Sequence, residues 1–190
     1  MKKKLFSEIP VLRGERITLR ALTQNDAEGL RELMETVEVY RYEPTYLFEK
    51  KYKDPADTIK HLYKEGLKQS LFLGVFLGDD FAGLAEIYGY RPLLRKASVG
   101  YRLLPRYWGQ GIATETLGLL REYLFGETDV EVITASVMRN NKASARVLEK
   151  NGFACMRSNV LEDWGYPEYV VSNKWLLIGV ASRLGYQFQT

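Results

Sequence analysis

The sequence predicts an α+β domain with a central mixed, mostly antiparallel sheet of about seven strands and about four helices. Residues 70–77 and 81–90 are apolar, strand-like segments joined by a Gly-Asp-Asp turn at 78–80, which predicts a hairpin. Residues 99–104 alternate at period two and lead into a glycine-bearing loop and a helical stripe. A strand-like segment at 130–138 follows that helix, so these two strands should be parallel neighbours.

The segment before the hairpin predicts one strand and two helices. Residues 16–22 alternate apolar and polar side chains, which is typical of a half-buried strand. Thr23 begins a capping-box-like sequence that opens a helix ending near Glu38. Asp57 is the expected N-cap of the second helix. Between the helices, residues 39–54 lose periodicity and accumulate tyrosines, which predicts a long loop with its own side-chain cluster.

The segment after the hairpin predicts the remaining elements. Gly126 is the expected left-handed cap of the helix that follows the glycine loop. A further helix should run from about Asn141 to Lys150, and the last two strands should span 153–160 and 169–177, with a loop at 162–167 between them.

Composition indicates one globular domain over residues 1–190, with its core at about 11–178 and a C-terminal extension at 179–190. Hydrophobic residues make up 46% of the 190, enough for a full core. No apolar run is long enough for a transmembrane helix or a signal peptide, so we expect a cytoplasmic protein. Cys155 is the single cysteine and should pack in the core. A net charge of +3 from 27 basic and 24 acidic residues is too balanced to indicate nucleic-acid binding.

The glycine loop indicates an anion site. Gly109 and Gly111 directly precede the helix, where unpaired N–H groups and a partial positive charge favour a phosphate or pyrophosphate. Two glycines are equally consistent with a plain strand-to-helix turn, or with a domain that binds another nucleotide diphosphate. The third glycine of a dinucleotide fingerprint is missing, because Thr114 stands in its place.

Two segments resemble the GNAT superfamily of N-acetyltransferases. Residues 108–113, Trp-Gly-Gln-Gly-Ile-Ala, are similar to its acyl-CoA-binding hexad R/Q-x-x-G-x-G/A, with Trp108 departing at the first position. Residues 141–153 resemble an N-x-x-S…EKxGF segment. Both segments are similar to the branch that contains the acetyltransferases of ribosomal-protein N-terminal alanines.

The resemblance implies a fold, a cofactor and a reaction. The fourth and fifth predicted strands should splay apart, and the pantetheine arm of acetyl-CoA should lie between them. An acetyl group would pass from the thioester to a primary amine, either a protein N-terminus or a small-molecule amine. The implied cofactor-binding residues are Tyr101, Leu103, Trp108, Gly109, Gln110, Gly111, Ile112, Ala113, Asn141 and Ser144. From the local sequence alone, Asn141 and Ser144 also fit a helix N-cap and its partner.

Catalytic residues are harder to assign, because the tyrosine acid and glutamate base of many family members are replaced by Leu148 and Ser136. Ser144 is the acid that the resembled branch implies. There are three candidate bases: Glu86, a carboxylate on a half-buried strand, and Glu162 and Asp163 in the loop before the last strand. Each could instead be a solvated surface charge, and a water chain could replace a base. The missing pair also leaves open a non-catalytic CoA-binding regulatory domain.

The acceptor site should lie between residues 39–54 and 162–168. Tyr42, Trp164 and Tyr166 are its candidate substrate-binding residues, and the carboxylates among them favour a cationic amine. The alternative is that these aromatics only attach two loops to the core. We expect no metal, nucleic-acid or membrane partner, and a monomer or homodimer.

Overall fold

The computed structural model describes residues 5–179, so all of the predicted extension at 179–190 except its first residue lies outside the described residues. The strands of this part are β1 (Leu12–Arg13), β2 (Ile17–Arg20), β3 (Ser70–Leu77), β4 (Asp80–Arg91), β5 (Lys96–Leu103), β6 (Val132–Met138), β7 (Ala154–Glu162) and β8 (Val170–Ile178). The helices are α1 (Ala27–Glu35), α2 (Pro55–Lys64), α3 (Ile112–Glu127) and α4 (Lys142–Lys150). The predicted α+β fold is confirmed, with the two-residue β1 as an additional strand.

The strands form one sheet in the order β1-β2-β3-β4-β5-β6-β8-β7. Each neighbouring pair is antiparallel except β5 and β6, which are parallel because α3 crosses between them. Helices α1 and α2 pack on each other, with α1 against β4, while α3 packs on α4 and β5. Within residues 5–179, each helix is too short or too polar to span a lipid bilayer.

Strands β5 and β6 separate soon after they meet. They pair over Lys96–Ser98 and Val132–Thr134, and a side-chain contact of 2.9 Å between Ser98 Oγ and Thr134 Oγ1 lies at the end of this ladder. Leu103 lies five residues further along β5. The strands therefore splay apart as predicted, and we call the space between them the β5–β6 gap.

The register of β5 on β4 decides which main-chain groups face this gap. Leu104 N–H donates to Ala82 C=O at 2.9 Å, and Leu103 lies opposite Gly83. Because alternate residues of an antiparallel strand direct their N–H and C=O groups to opposite sides, those of Leu103, Tyr101 and Val99 are directed away from β4 and towards the gap.

Two predicted helix caps are wrong. Asp54, not Asp57, caps α2, since its carboxylate accepts from Ala56 N–H at 2.9 Å and Pro55, which has no N–H to satisfy, is the first helical residue. Helix α3 continues through Gly126 to Glu127, where Thr128 Oγ1 donates to a carbonyl of the last turn at 2.6 Å. The hydroxyl therefore takes the role expected of a left-handed glycine.

Three other expectations also differ from the structure. Helix α1 ends at Glu35 rather than Glu38, and a separate 3₁₀ turn follows at Val37–Tyr40. Cys155 is exposed rather than packed in the core, because β7 is the outermost strand of the sheet. Glu162 is the last residue of β7 rather than a loop residue.

Gly83 allows β4 and β5 to approach closely at Leu103, beyond the last pair of β5 with β6. A Cβ at this position would lie 2.0 Å from Arg102 O and 2.8 Å from Leu103 Cα. We expect Gly83→Ala to lower the free energy of unfolding by about 3 kcal/mol in urea titrations, since backbone atoms would have to move. The control is Gly126→Ala, because a Cβ at this position would meet nothing within 4 Å. This substitution should stabilise the helix by about 0.5–1 kcal/mol. Equal stability of Gly83→Ala and wild type would contradict this close approach.

Candidate active site

The predicted phosphate loop has the conformation that an anion site requires. Gly109 and Gly111 have φ values of 72° and 83°, and α3 begins at Ile112. A Cβ on Gly109 would meet no atom within 4 Å, and one on Gly111 would meet the tip of Arg16 at 3.1 Å. The space in front of the loop is therefore open, and the first N–H groups of α3 have no partner within the helix. This arrangement fits a pyrophosphate.

Arg16 and Glu115 brace the glycine loop, and sequence reasoning missed both. Glu115 accepts from the main-chain N–H of Arg16 at 2.8 Å and from its Nε at 3.1 Å. Arg16 Nη1 donates to Gln110 C=O at 2.9 Å, which attaches the start of β2 to the loop. Burial would raise the pKa of Glu115, but the hydrogen bonds from Arg16 and Ile17 outweigh it and lower the pKa. The sequence feature that could have indicated this contact is an acidic residue in the first turn of a helix that follows a glycine loop.

Trp108, which departs from the family hexad, connects the loop to the end of β5. Its indole N–H donates to Leu103 C=O at 2.7 Å, and the side chain remains 49% exposed. That carbonyl is one of the main-chain groups on the gap side of β5. The tryptophan therefore fixes the position of the loop relative to the gap.

A cavity of about 1240 Å³ extends through the gap. From the sequence-predicted set, it is lined by Tyr42, Glu86, Tyr101, Asn141, Ser144, Glu162 and Trp164, together with Glu43, Arg102 and Ser136. Leu103, Trp108 and residues 109–113 do not line it, and neither does Tyr166, whose hydroxyl bonds to the backbone of the lining residue Glu43. The structure thus brings the candidate acid and two of the three candidate bases, Glu86 and Glu162, into one cavity. Asp163 does not line it and instead accepts from Gly165 N–H at 2.8 Å.

Ser144 lies on the α4 side of this cavity. Its N–H donates to Asn141 Oδ1 at 3.1 Å, so Asn141 is the N-cap of α4, as the local sequence indicates. Its Oγ lies 3.2 Å from Tyr101 Oη, and Leu148 also lines the cavity. Burial raises the pKa of Tyr101 to about 12, and the nearby Glu43 charge also raises it. The phenol therefore keeps its proton at neutral pH.

Arg102 gathers three carboxylates on the opposite side of the cavity. Its Nε is 2.7 Å from Glu49 Oε1, its Nη2 is 3.3 Å from Glu86 Oε2, and its Nη1 is 3.6 Å from Glu43 Oε2. The side chains of Arg102 and Glu49 are only 2% and 0% exposed. Burial lowers the pKa of Arg102, but the carboxylates outweigh it and raise the pKa, so the guanidinium stays charged.

Negative charge exceeds positive charge in this group, which we call the Arg102 cluster: Arg102, Glu43, Glu49 and Glu86. Burial raises the pKa of Glu43 to about 7, opposed by Arg102 and reinforced by the two other carboxylates. Burial also raises the pKa of Glu86, again opposed by Arg102. Sequence reasoning selected Glu86 but did not find Arg102. By its position in the strand, Arg102 is expected to face solvent, and only its partners in the 39–54 segment explain its burial.

Glu162 lies in a different environment at the β6 and β8 side of the cavity. Its carboxylate accepts from Ser136 Oγ at 2.5 Å and from Ser172 Oγ, and it forms an ion pair with Lys174. Burial would raise the pKa of Glu162, but the hydrogen bonds from Lys174 and the two serines outweigh it and lower the pKa. This carboxylate is fully paired and ionised.

The aromatic candidates divide into two groups. Tyr42 and Trp164 line the cavity, and Trp164 is only 6% exposed. Tyr166 instead donates its hydroxyl proton to Glu43 C=O at 2.8 Å, and Thr45 N–H donates to Trp164 C=O at 2.9 Å. These bonds join the 39–54 segment to the β7–β8 loop. Tyr166 therefore fits the alternative given above, in which the aromatic residue holds a loop in place.

Comparison with known proteins identifies the family. Residues 16–154 match the family model for the acetyltransferase (GNAT) domain. The chain belongs to the GNAT acetyltransferase family. A relative, "Probable N-acetyltransferase YjcK" of Bacillus subtilis, is 33% identical over 153 residues, covering 75% of this chain and 83% of the relative.

Solved GNAT structures share the fold at low identity. RimL, a ribosomal L7/L12 α-N-protein acetyltransferase in complex with coenzyme A, superimposes with a TM-score of 0.75 at 19% identity, covering 89% of this chain and 98% of RimL. Spermidine N-acetyltransferase from Vibrio cholerae, in complex with CoA and spermine, has a TM-score of 0.71 at 21% identity, covering 87% and 96%. The acceptors of these two proteins differ in kind.

The raised pKa of Glu43 predicts a pH-dependent stability for this GNAT domain. Because the pKa rises from 4.5 to about 7 on folding, the folded state holds a proton that the unfolded state has released between these pH values. The free energy of unfolding should therefore fall as pH rises through this window. Glu43→Gln removes this contribution, so the variant should be the more stable protein at pH 8, by at most roughly 3 kcal/mol.

Urea titrations of both proteins at pH 4.5 and pH 8 test this expectation. The difference in stability between variant and wild type should be small near pH 4.5 and grow towards pH 8. Parallel pH profiles for the two proteins would show that Glu43 has an ordinary pKa.

Proposed function

We propose that this protein is an acetyl-CoA-dependent N-acetyltransferase that transfers an acetyl group to a primary amine by direct attack of the amine on the thioester. The observation that carries the proposal is the cavity through the β5–β6 gap. Its α4 side presents Ser144 and the main-chain groups of β5, and its opposite side presents aromatic and carboxylate side chains. One channel thus offers a place for each of the two substrates.

The residues on the α3 and α4 side fit acetyl-CoA. The N–H groups from Gly109 to Ala113 would hold the pyrophosphate, since glycine leaves the approach open at the helix start. The main-chain groups of Val99 and Tyr101 would bind the pantetheine arm as an additional strand would be bound. Asn141 and Ser144 would contact the arm from α4. When bound, acetyl-CoA supplies the activated acetyl group.

Two hydrogen-bond donors are available for the atoms that gain negative charge during acetyl transfer, the thioester oxygen and the leaving sulfur. The N–H of Leu103 faces the gap and can donate to the developing oxyanion, a contribution of about 3 kcal/mol for a well-placed donor. Ser144 Oγ lies within hydrogen-bond distance of Tyr101 Oη and can pass a proton to the leaving sulfur. Tyr101 on β5 would then take the place of the family's catalytic tyrosine, whose position in this chain is occupied by Leu148.

The acceptor would enter from the side of Tyr42 and Trp164. Aromatic faces and carboxylates attract an ammonium group, so this pocket favours a cationic amine over an anionic acceptor. RimL and the spermidine acetyltransferase support both a protein N-terminus and a small-molecule polyamine as acceptor classes for this chain. The geometry of the pocket is compatible with either class.

Release of free thiol from acetyl-CoA tests the proposed function. The amine panel would contain spermidine, tyramine, and hexapeptides with unblocked N-terminal Ala or Ser. We expect at least one amine to accelerate thiol release and to gain 42 Da, and Gly111→Val, whose side chain would occupy the phosphate approach, to show no such release. Tight binding of CoA without acetylation of any amine would instead support a regulatory CoA-binding domain.

Ser144 and Asn141 should have separable roles. Ser144→Ala and Tyr101→Phe should each lower kcat about tenfold with little change in the Kd of acetyl-CoA, because they affect departure of the thiolate, which needs modest help at neutral pH. Asn141→Ala should mainly raise that Kd. Steady-state kinetics and calorimetry separate the effects, and an unchanged kcat in Ser144→Ala would limit this serine to a structural role in α4.

A further inference from the structure

The three carboxylates around Arg102 are not equivalent. Glu49 is completely buried and has the shortest contact with the guanidinium, 2.7 Å, so it is the permanent counter-ion. Glu86 is 14% exposed and lies 3.3 Å from Arg102. Glu43 is the most distant, at 3.6 Å, and the most exposed, at 23%. Since one guanidinium cannot neutralise three carboxylates, Glu43 is the least neutralised of them.

The backbone of Glu43, a residue that lines the cavity, is held in place by hydrogen bonds to the β7–β8 loop. Its C=O accepts the hydroxyl proton of Tyr166 at 2.8 Å, and two residues later Thr45 is bonded to Trp164 at 2.9 Å. The 39–54 segment thus cannot move independently of the β7–β8 loop at this point. A carboxylate on a fixed backbone can act at a defined position.

Glu43 also lies close to the groups that would serve the leaving sulfur. Its charge is near enough to raise the pKa of Tyr101, whose hydroxyl contacts Ser144 at 3.2 Å. Both Glu43 and Tyr101 line the same cavity. A proton acceptor and a proton donor therefore border one section of the channel, as acyl transfer to an amine requires.

We propose that Glu43 is the general base that deprotonates the acceptor ammonium, and that Glu49 and Arg102 are positioning residues that keep Glu43 only partly neutralised. This inference rests on the proposed function. Glu162 is a weaker candidate because it accepts from two serines and pairs with Lys174. Glu86 is closer to the guanidinium, so more of its charge is compensated.

The proton transfers balance in this scheme. The Glu43 carboxylate takes one proton from R–NH₃⁺ and releases it to solvent, which leaves the neutral amine with its lone pair. The amine nitrogen bonds to the acetyl carbon, the C–S bond breaks, and its electron pair stays on sulfur. The second proton lost by nitrogen reaches the sulfur through Ser144. The products are the N-acetyl amine, free thiol and one proton.

The pH dependence of this step depends on every charged or titratable group that faces Glu43. These groups are Arg102, Glu49, Glu86, Tyr40, Tyr88 and Tyr101. The pKa of Glu43, about 7, is suited to a base at neutral pH. Because the charge of Glu49 raises this pKa, Glu49→Gln should lower it and leave the carboxylate ionised at lower pH.

The test measures kcat/KM against pH for wild type and five variants, with spermidine and a hexapeptide that begins with Ser as acceptors. Glu43→Gln should lower kcat/KM about a hundredfold and abolish the acid limb of the profile, with an unchanged Kd for acetyl-CoA. Glu49→Gln should move the acid limb to lower pH and should lower kcat/KM less than Glu43→Gln does, because the carboxylate that acts as the base is still present. Glu86→Gln should lose less activity than Glu43→Gln, and the exposed Glu38→Gln should behave as wild type.

Each outcome either supports or overturns the assignment of Glu43 as the general base. A wild-type rate and acid limb in Glu43→Gln would overturn the inference and leave the proposed function intact, and transfer of the whole effect to Glu86→Gln would make Glu86 the base. Wild type that binds CoA but acetylates neither acceptor, nor any other amine of the panel, would overturn the proposed function and the base together. Glu43→Asp guards against a purely structural loss, because it should keep part of the activity and an acid limb.

Discussion

The short pairing between β5 and β6 is the constraint on which the rest of this structure depends. Three residues of β5 meet three of β6, and the strands then diverge. Because β4 satisfies the other edge of β5, the residues beyond Ser98 expose alternate main-chain groups to the opening instead of to a neighbouring strand. The gap, the cavity through it and the placement of α3 and α4 at its end all follow from this divergence.

A second consequence concerns charge. The Arg102 cluster lies beside the gap, where one buried guanidinium faces more carboxylates than it can neutralise. A buried ion pair gives little net stability after desolvation, and an excess buried charge costs free energy. The cluster is therefore better explained by what it does to the pKa of Glu43 than by stabilisation of the fold. The opposite side of the gap is balanced, because Lys174 compensates Glu162.

Local pattern was sufficient for most of the fold, including the elements that carry the candidate cofactor-binding residues. The hairpin, the crossover, the glycine loop and α4 follow from periodicity and turn residues, and the family resemblance supplies the splay. The Arg102 cluster could not be predicted, because it joins Glu43 and Glu49 from an irregular segment to Glu86 and Arg102 on paired strands. Sequence spacing does not encode such contacts. Cys155 was misjudged for a similar reason, since strand order, not composition, places β7 at the edge.

A crystal structure of the protein with CoA is the measurement that tests the central claim most directly. We expect the pyrophosphate on the N–H groups of Gly109 to Ala113, and the pantetheine arm in the β5–β6 gap with its amides bonded to Val99 and Tyr101. The thiol should end between Leu103, Ser144 and the Arg102 cluster. A CoA molecule bound outside the gap, or a gap closed by continued pairing of β5 with β6, would contradict this account.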